Sequence, residues 1–99
     1  MVQYIYYDSG GIKMVSQKTR LELEQGFQIQ SANDFASAMG KFKCDIYILT
    51  NGNRVNAKSL MNIVAAEIRH GAELEIVCSG EDEVQALNKA LELIGANEE

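Results

Sequence analysis

The chain has 99 residues, 46% of them hydrophobic and 23% charged, with a formal net charge of −5. That supports one domain with a modest core and the composition of an ordinary soluble globular protein. The negative charge argues against nucleic acid or an anionic membrane as partner, and no apolar run nears the roughly 20 residues of a membrane span.

The opening segment MVQYIYYDSGG lacks the charged start and long apolar run of a secretory signal, so a cytoplasmic protein is expected. Gln3–Tyr7 and Ile12–Val15 read as two short strands joined by Asp8-Ser9-Gly10-Gly11, because β-forming residues flank a glycine-rich turn. An isolated hairpin is barely stable in water and needs something to pack on. Thr19–Glu24 alternates, with Leu21 and Leu23 on one face and Arg20, Glu22 and Glu24 on the other, which predicts a half-buried strand ended by Gly26. Ser31 is the expected N-cap of a helix running to about Phe42, with Asp34 in its first turn and Phe35, Met39 and Phe42 at core spacing.

Cys44–Thr50 predicts a strand in which Cys44, Ile46 and Ile48 point one way and Asp45, Tyr47 and Leu49 the other. Asn51-Gly52 is a tight-turn dipeptide, and Arg54–Asn56 follows as a short strand. Ser59 then opens a helix whose apolar stripe is Leu60, Met61, Ile63, Val64 and Ile68, with His70-Gly71 as its stop. A serine at a helix start is a preferred cap, and it is also a favourable place for a phosphate. Glu73–Ser79 is a strand with Leu74, Ile76 and Cys78 inward. Gly80 and Asp82 open the last helix, where Asp82 and Gln85 have capping-box spacing and Val84, Leu87, Leu91 and Ile94 form the expected buried face. The polar tail from Gly95 to Glu99 is expected to fray.

This order of elements is an α+β pattern, with helices on one face of an antiparallel sheet. It carries no enzyme constellation. Glu22 with Glu24, Glu73 with Glu75, and Glu81-Asp82-Glu83 read as solvated strand and cap residues. His70, the single histidine, is expected to be exposed at a helix end. Cys44 and Cys78 lack a CxxC spacing and read as small buried hydrophobes kept reduced. There is no glycine-rich phosphate loop, metal set or Ser/His/Asp arrangement, so no cofactor or metal is expected.

The runs NGNRVNAKSLMNIV (Asn51–Val64) and HGAELEIVCSGEDEVQAL (His70–Leu87) resemble HPr, the phosphocarrier family of the bacterial phosphotransferase sugar-uptake system. The similarity extends back to about Lys18, giving an expected HPr-like domain at 18–99 and an N-terminal hairpin extension at 1–17. The resemblance implies an open-faced sandwich: a four-stranded antiparallel sheet covered on one face by three helices, in the order β-α-β-β-α-β-α. It further implies that Cys44 and Cys78 lie on neighbouring strands and that Tyr47, Leu49 and Val77 face outward on the open side. An apolar open face suggests that the hairpin folds over it, or that it meets the same face of a second copy in a homodimer.

The family's active-site loop reads Gly-Leu-His-x-Arg-Pro, and the matching segment here is Gly26-Phe27-Gln28-Ile29-Gln30-Ser31. The resemblance therefore puts Gln28 at the carrier histidine and Gln30 at the arginine. An amide nitrogen with a delocalised lone pair cannot accept a phosphoryl group, and Gln30 lacks the planar cation that clamps phosphate oxygens. The Crh type within the family also has glutamine at that histidine position. Its members are phosphorylated only on a serine, by HPr kinase/phosphorylase, and then act as corepressors for the catabolite control protein. By this parallel Ser59 is the regulatory phosphoacceptor, and Lys58, Leu60, Met61 and Val64 are the surface read by the kinase and by a regulatory partner. Gln30, where the Crh type keeps arginine, and the N-terminal extension are departures from it. A non-phosphorylated interaction or dimerisation module is the alternative reading, and a phosphocarrier working through His70 is the third.

Overall fold

The computed structural model describes residues 3–6 and 13–95. The strands are β1 (Gln3–Tyr6), β2 (Lys13–Arg20), β3 (Asp45–Thr50), β4 (Asn53–Asn56) and β5 (Glu73–Ser79). The helices are α1 (Ile29–Met39), α2 (Leu60–Ala66) and α3 (Glu83–Leu93). All strands pair antiparallel in one sheet of order β1-β2-β5-β3-β4. Strands β2, β5, β3 and β4 with three helices on one face make the expected open-faced sandwich.

The hydrophobic period of each strand sets which side is buried. Val15, Ile46, Ile48, Val55, Leu74, Ile76 and Cys78 face the helices and are almost fully excluded from solvent. On the helical side they meet Ala32, Phe35, Ala36 and Met39 of α1, Ile63 of α2, and Ala86, Leu87 and Ala90 of α3. Helix α3 packs on β5 and β2, α2 packs on β4, and α1 lies against both other helices. The register pairs Tyr47 with Val77 and Leu49 with Glu75, which leaves these half-buried residues on the open face. The Arg54 guanidinium lies 4.5 Å from the centroid of the Tyr47 ring, so the aromatic is capped by a cation.

The N-terminal hairpin does not fold over that face. Strand β1 pairs with β2 from Gln3↔Ser16 to Tyr6↔Lys13 and extends the sheet sideways as a fifth strand. The outer edge of β2 offers a row of backbone donors and acceptors, and a neighbouring strand satisfies them better than side-chain stacking on a face does. The expected break between 15 and 19 is also absent. One strand runs from Lys13 to Arg20, straight through the expected division at residue 17. The turn residues Asp8–Gly11, with Tyr7 and Ile12, lie outside the described residues.

Other boundaries move for local reasons. Leu21 and Leu23 are inward as expected, but the strand stops at Arg20. Beyond it the Leu21 N–H donates to Ala72 O at 3.0 Å and the Glu22 N–H to Ile94 O at 3.0 Å, turning the chain away from the sheet. Helix α1 starts at Ile29, so Gln28 and not Ser31 is the N-cap, and Asp34 falls beyond the first turn. Ser31 instead sits at the third helical position, where its Oγ accepts from the Gln28 N–H at 3.0 Å. Phe42 follows the helix and is half-buried.

Helix α2 ends at Ala66, well before His70, because Glu67 turns left-handed with φ +51°. Of its expected apolar stripe only Ile63 and, past the helix, Ile68 are buried, while Met61 is 75% exposed. At α3 the expected box between Asp82 and Gln85 does not form. The Asp82 carboxylate instead accepts from the Lys43 N–H at 2.9 Å and the Cys44 N–H at 3.0 Å, tying the start of α3 to the entry of β3. Glu83, expected in solvent, is 5% exposed and accepts from the Gly80 N–H at 3.1 Å. On the buried face of α3, Ala86 and Ala90 replace Val84 and Leu91, which are half-buried.

Candidate functional site

The β4–α2 connection is built to hold Ser59 still. Asn56 closes an Asx turn by accepting from the Lys58 N–H through Oδ1 at 2.9 Å, and the Ser59 N–H donates to Asn56 O at 3.1 Å. Between them Ala57 is fully buried and its N–H donates to Ile46 O at 3.0 Å, pinning the turn to the sheet. Ser59 keeps an extended backbone (φ −112°, ψ 112°) and its Oγ accepts from the Asn62 N–H at 3.2 Å. It is therefore the N-cap that its sequence position predicts, half-exposed with its hydroxyl proton uncommitted to that bond.

Lys58 does not point at the serine hydroxyl. Its Nζ donates to Phe42 O, beyond the C-terminal end of α1, at 2.8 Å. Leu60 is half-buried against the core, Met61 is 75% exposed and Val64 is 37% exposed. The only other exposed large hydrophobe among the described residues is Ile29, at 69%, in the first turn of α1. The sequence reading missed it because a helix begun at Ser31 leaves Ile29 in a loop. The signal lay in the capping pair: Gln28 and Ser31 are three residues apart, which sets the helix start at Ile29.

Helices α1 and α2 run antiparallel. The Phe27 N–H, just before α1, donates to Ile68 O, just after α2, at 3.0 Å, while Lys58 at the other end reaches Phe42. Gln28 and Gln30 therefore neighbour the end of α2 and not Ser59, separated by the length of α2, about 10 Å for its seven residues. Both glutamines are exposed, and Gln30 Nε2 donates to Asp34 Oδ1 at 3.0 Å. His70 is exposed and its Nδ1 lies 3.0 Å from Leu23 O, where the Nδ1–H donates and latches the β2–α1 connection to the segment after α2. Gly26 makes that approach possible: a Cβ there would sit 2.8 Å from Ile68 O.

The two thiols are buried and touching. Cys44 is pushed up to about 12 by burial and then by the hydrogen bond and charge of Asp82. Cys78 is pushed up further by burial and by Cys44 beside it. Protonated, shielded thiols are poor nucleophiles. A groove of about 700 Å³ lies at the end of the open face beside the Asn51-Gly52 turn, and none of these residues lines it. Lys18, Arg20 and Arg54 line it together with Glu73 and Glu75, so neither sign of charge dominates. Among the described residues no helix is long and apolar enough to cross a membrane.

The family model for the phosphotransferase HPr component phosphorylation site matches residues 15–96. The chain belongs to the HPr family. The HPr-like protein Crh of Bacillus subtilis is 36% identical over 76 residues, covering 77% of this chain and 89% of that one. The crystal structure of the phosphocarrier protein HPr from Bacillus anthracis superposes with a TM-score of 0.78 at 32% identity, over 81% of this chain and 95% of that one. The crystal structure of B. subtilis Crh superposes with a TM-score of 0.64 at 28% identity, over 84% and 95% of the two chains, and is described as a domain-swapped dimer. The HPr match begins at Val15, inside β2, and β1 lies before it.

Proposed function

We propose that this HPr-family chain is a regulatory protein without the phosphocarrier reaction, phosphorylated at Ser59 by a kinase of the HPr kinase/phosphorylase type. It then acts in the cytoplasm by binding a regulatory protein in sugar-uptake or carbon-catabolite control. The observation that carries the reading is the half-exposed Ser59 hydroxyl at the start of α2, with the exposed Met61 and Val64 beside it on the same helix. A phosphate on Oγ adds close to two negative charges at a helix start, where they are electrostatically favoured, and gives a partner three strong acceptor oxygens. Lys58, held by Phe42 O, contributes its stem to the surface more than its charge. Leu60 supports the patch from beneath, and Ile29 adds a third exposed apolar side chain on the adjoining helix.

The carrier reaction needs a nucleophile that is also a good leaving group. Gln28 at the family's histidine position supplies neither property, and Gln30, bonded to Asp34, brings no cation to a phosphoryl group. His70 spends its Nδ1 on Leu23 O. The partner is therefore one that reads phosphoserine and an apolar patch without the arginine that Gln30 replaces.

Intact-mass measurement after incubation with ATP and HPr kinase tests the reading. One added phosphate is expected, absent from Ser59→Ala and unaffected by Gln28→Ala. No added mass, with the kinase active on an ordinary HPr, refutes it. Phosphate arriving from the general phosphotransferase enzyme and retained in Ser59→Ala would restore the carrier role instead.

A further inference from the structure

The sheet has two edges, β1 and β4, and they are defended differently. Strand β4 is four residues long, carries Arg54, and passes within four residues into α2. A second copy pairing there would bring arginine toward arginine. Strand β1, Gln3–Tyr6, is also short, but the run Val2–Tyr7 around it holds no charged residue, no proline and no glycine. Natural edge strands are normally kept from pairing by lysine, proline or a bulge. Valine, isoleucine and tyrosine, which fill this run apart from Gln3, instead favour extended pairing, and an uncharged segment rich in them is the signature of a strand that adds to another strand.

The position of β1 strengthens the point. The helical layer rests on β2, β5 and β4, and β1 leans chiefly on β2. A four-residue strand with one hydrogen-bonded neighbour has little to hold it, and a second neighbour would satisfy the outward row of backbone N–H and C=O groups.

We propose that β1 is a self-association edge, pairing antiparallel with β1 of a second copy across a two-fold axis to make one continuous ten-stranded sheet. The second copy is the fitting occupant because a two-fold axis sets a strand against itself. That arrangement meets no like charge here, although each chain carries a net charge of −5. With the axis at Ile5, the Ile5 residues of the two copies face each other and each Tyr4 faces the other copy's Tyr6, a β-branched pair flanked by aromatic pairs. The arrangement adds an edge to an edge and exchanges no strand. It therefore differs from the domain swapping described for B. subtilis Crh and does not depend on phosphorylation of Ser59.

Sedimentation equilibrium of the full chain across a concentration series is the test. A reversible monomer–dimer equilibrium is expected, weakened roughly tenfold or more by the double variant Tyr4→Lys/Ile5→Lys, which faces lysine with lysine. The double variant Tyr4→Thr/Ile5→Thr keeps β-forming, uncharged residues and is expected to remain dimeric. Amide exchange of Gln3–Tyr6 provides a check that does not require mutation: it is expected to slow as wild-type concentration rises. A chain monomeric at every concentration overturns the proposal. So does a dimer unmoved by the lysines, a dimer that fails to dissociate on dilution as a swapped one would, or Gln3–Tyr6 exchange that ignores concentration.

Discussion

Gly26 decides how the segment before α1 meets the segment after α2, and replacing it by alanine has a cost that separates into two parts. Its φ is +68°, and an added Cβ would lie 2.8 Å from Ile68 O and 2.9 Å from Arg69 Cα, both backbone atoms. Gly52 has nearly the same conformation, φ +75°, with no heavy atom within 4 Å of the same added carbon. Gly52→Ala therefore carries only the left-handed penalty, about 1 kcal/mol. Gly26→Ala carries that penalty and must also push two backbone segments apart. The Phe27 N–H to Ile68 O bond at 3.0 Å and the His70 to Leu23 O contact at 3.0 Å are then strained or lost. The expected total is about 3 kcal/mol. Urea unfolding followed by far-ultraviolet circular dichroism measures both variants, with the slope expected to stay constant. In a thermal melt followed the same way, the midpoint temperatures should fall by roughly 4–8 °C for Gly52→Ala and by two to three times that for Gly26→Ala. Equal losses would show that the close approach at Ile68 is not a constraint.

Glu67 is an exposed, non-glycine residue at φ +51° closing α2, so Glu67→Gly should stabilise the fold by about 0.5–1 kcal/mol, read as a higher urea midpoint. Asp82 is held below its ordinary value of 3.8 by the backbone N–H of Lys43 first, and then by Cys44. A lowered carboxylate contributes stability above pH 3.8 that fades as the pH falls toward its folded value. Asp82→Asn should therefore be less stable at neutral pH and show a flatter acid limb in urea titrations. The raised thiols work in the opposite direction. Their contribution is complete below pH 9.0 and declines as the pH climbs toward the folded value of about 12 for Cys44, so stability should drop in the alkaline range. At one fixed pH, thiol-reagent labelling should be far slower for the folded protein than for the protein in urea.

The sequence alone determined the elements whose hydrophobic period is read on one strand or one helix. The alternation in Asp45–Thr50 and Glu73–Ser79, the Asn51-Gly52 turn and the Ser59 cap are all local statements, because a strand's period of two and a cap's hydrogen bond need only neighbouring residues. The family motif around Ser59 was legible for the same reason. Helix limits were less so, since they depend on distant partners. Asp82 left its own helix to bind Lys43 and Cys44, and α2 broke at Glu67 so that Ile68 could reach Phe27. The exposure of Ile29, Met61 and Val64 was also beyond the sequence, because an apolar residue at helical spacing looks the same whether or not another element covers it. The hairpin makes the point most fully. Its two strands were evident from composition, but only the sheet decided that β1 would lie beside β2 and not across the open face. An edge of unpaired backbone groups exists only once the other strands are in place.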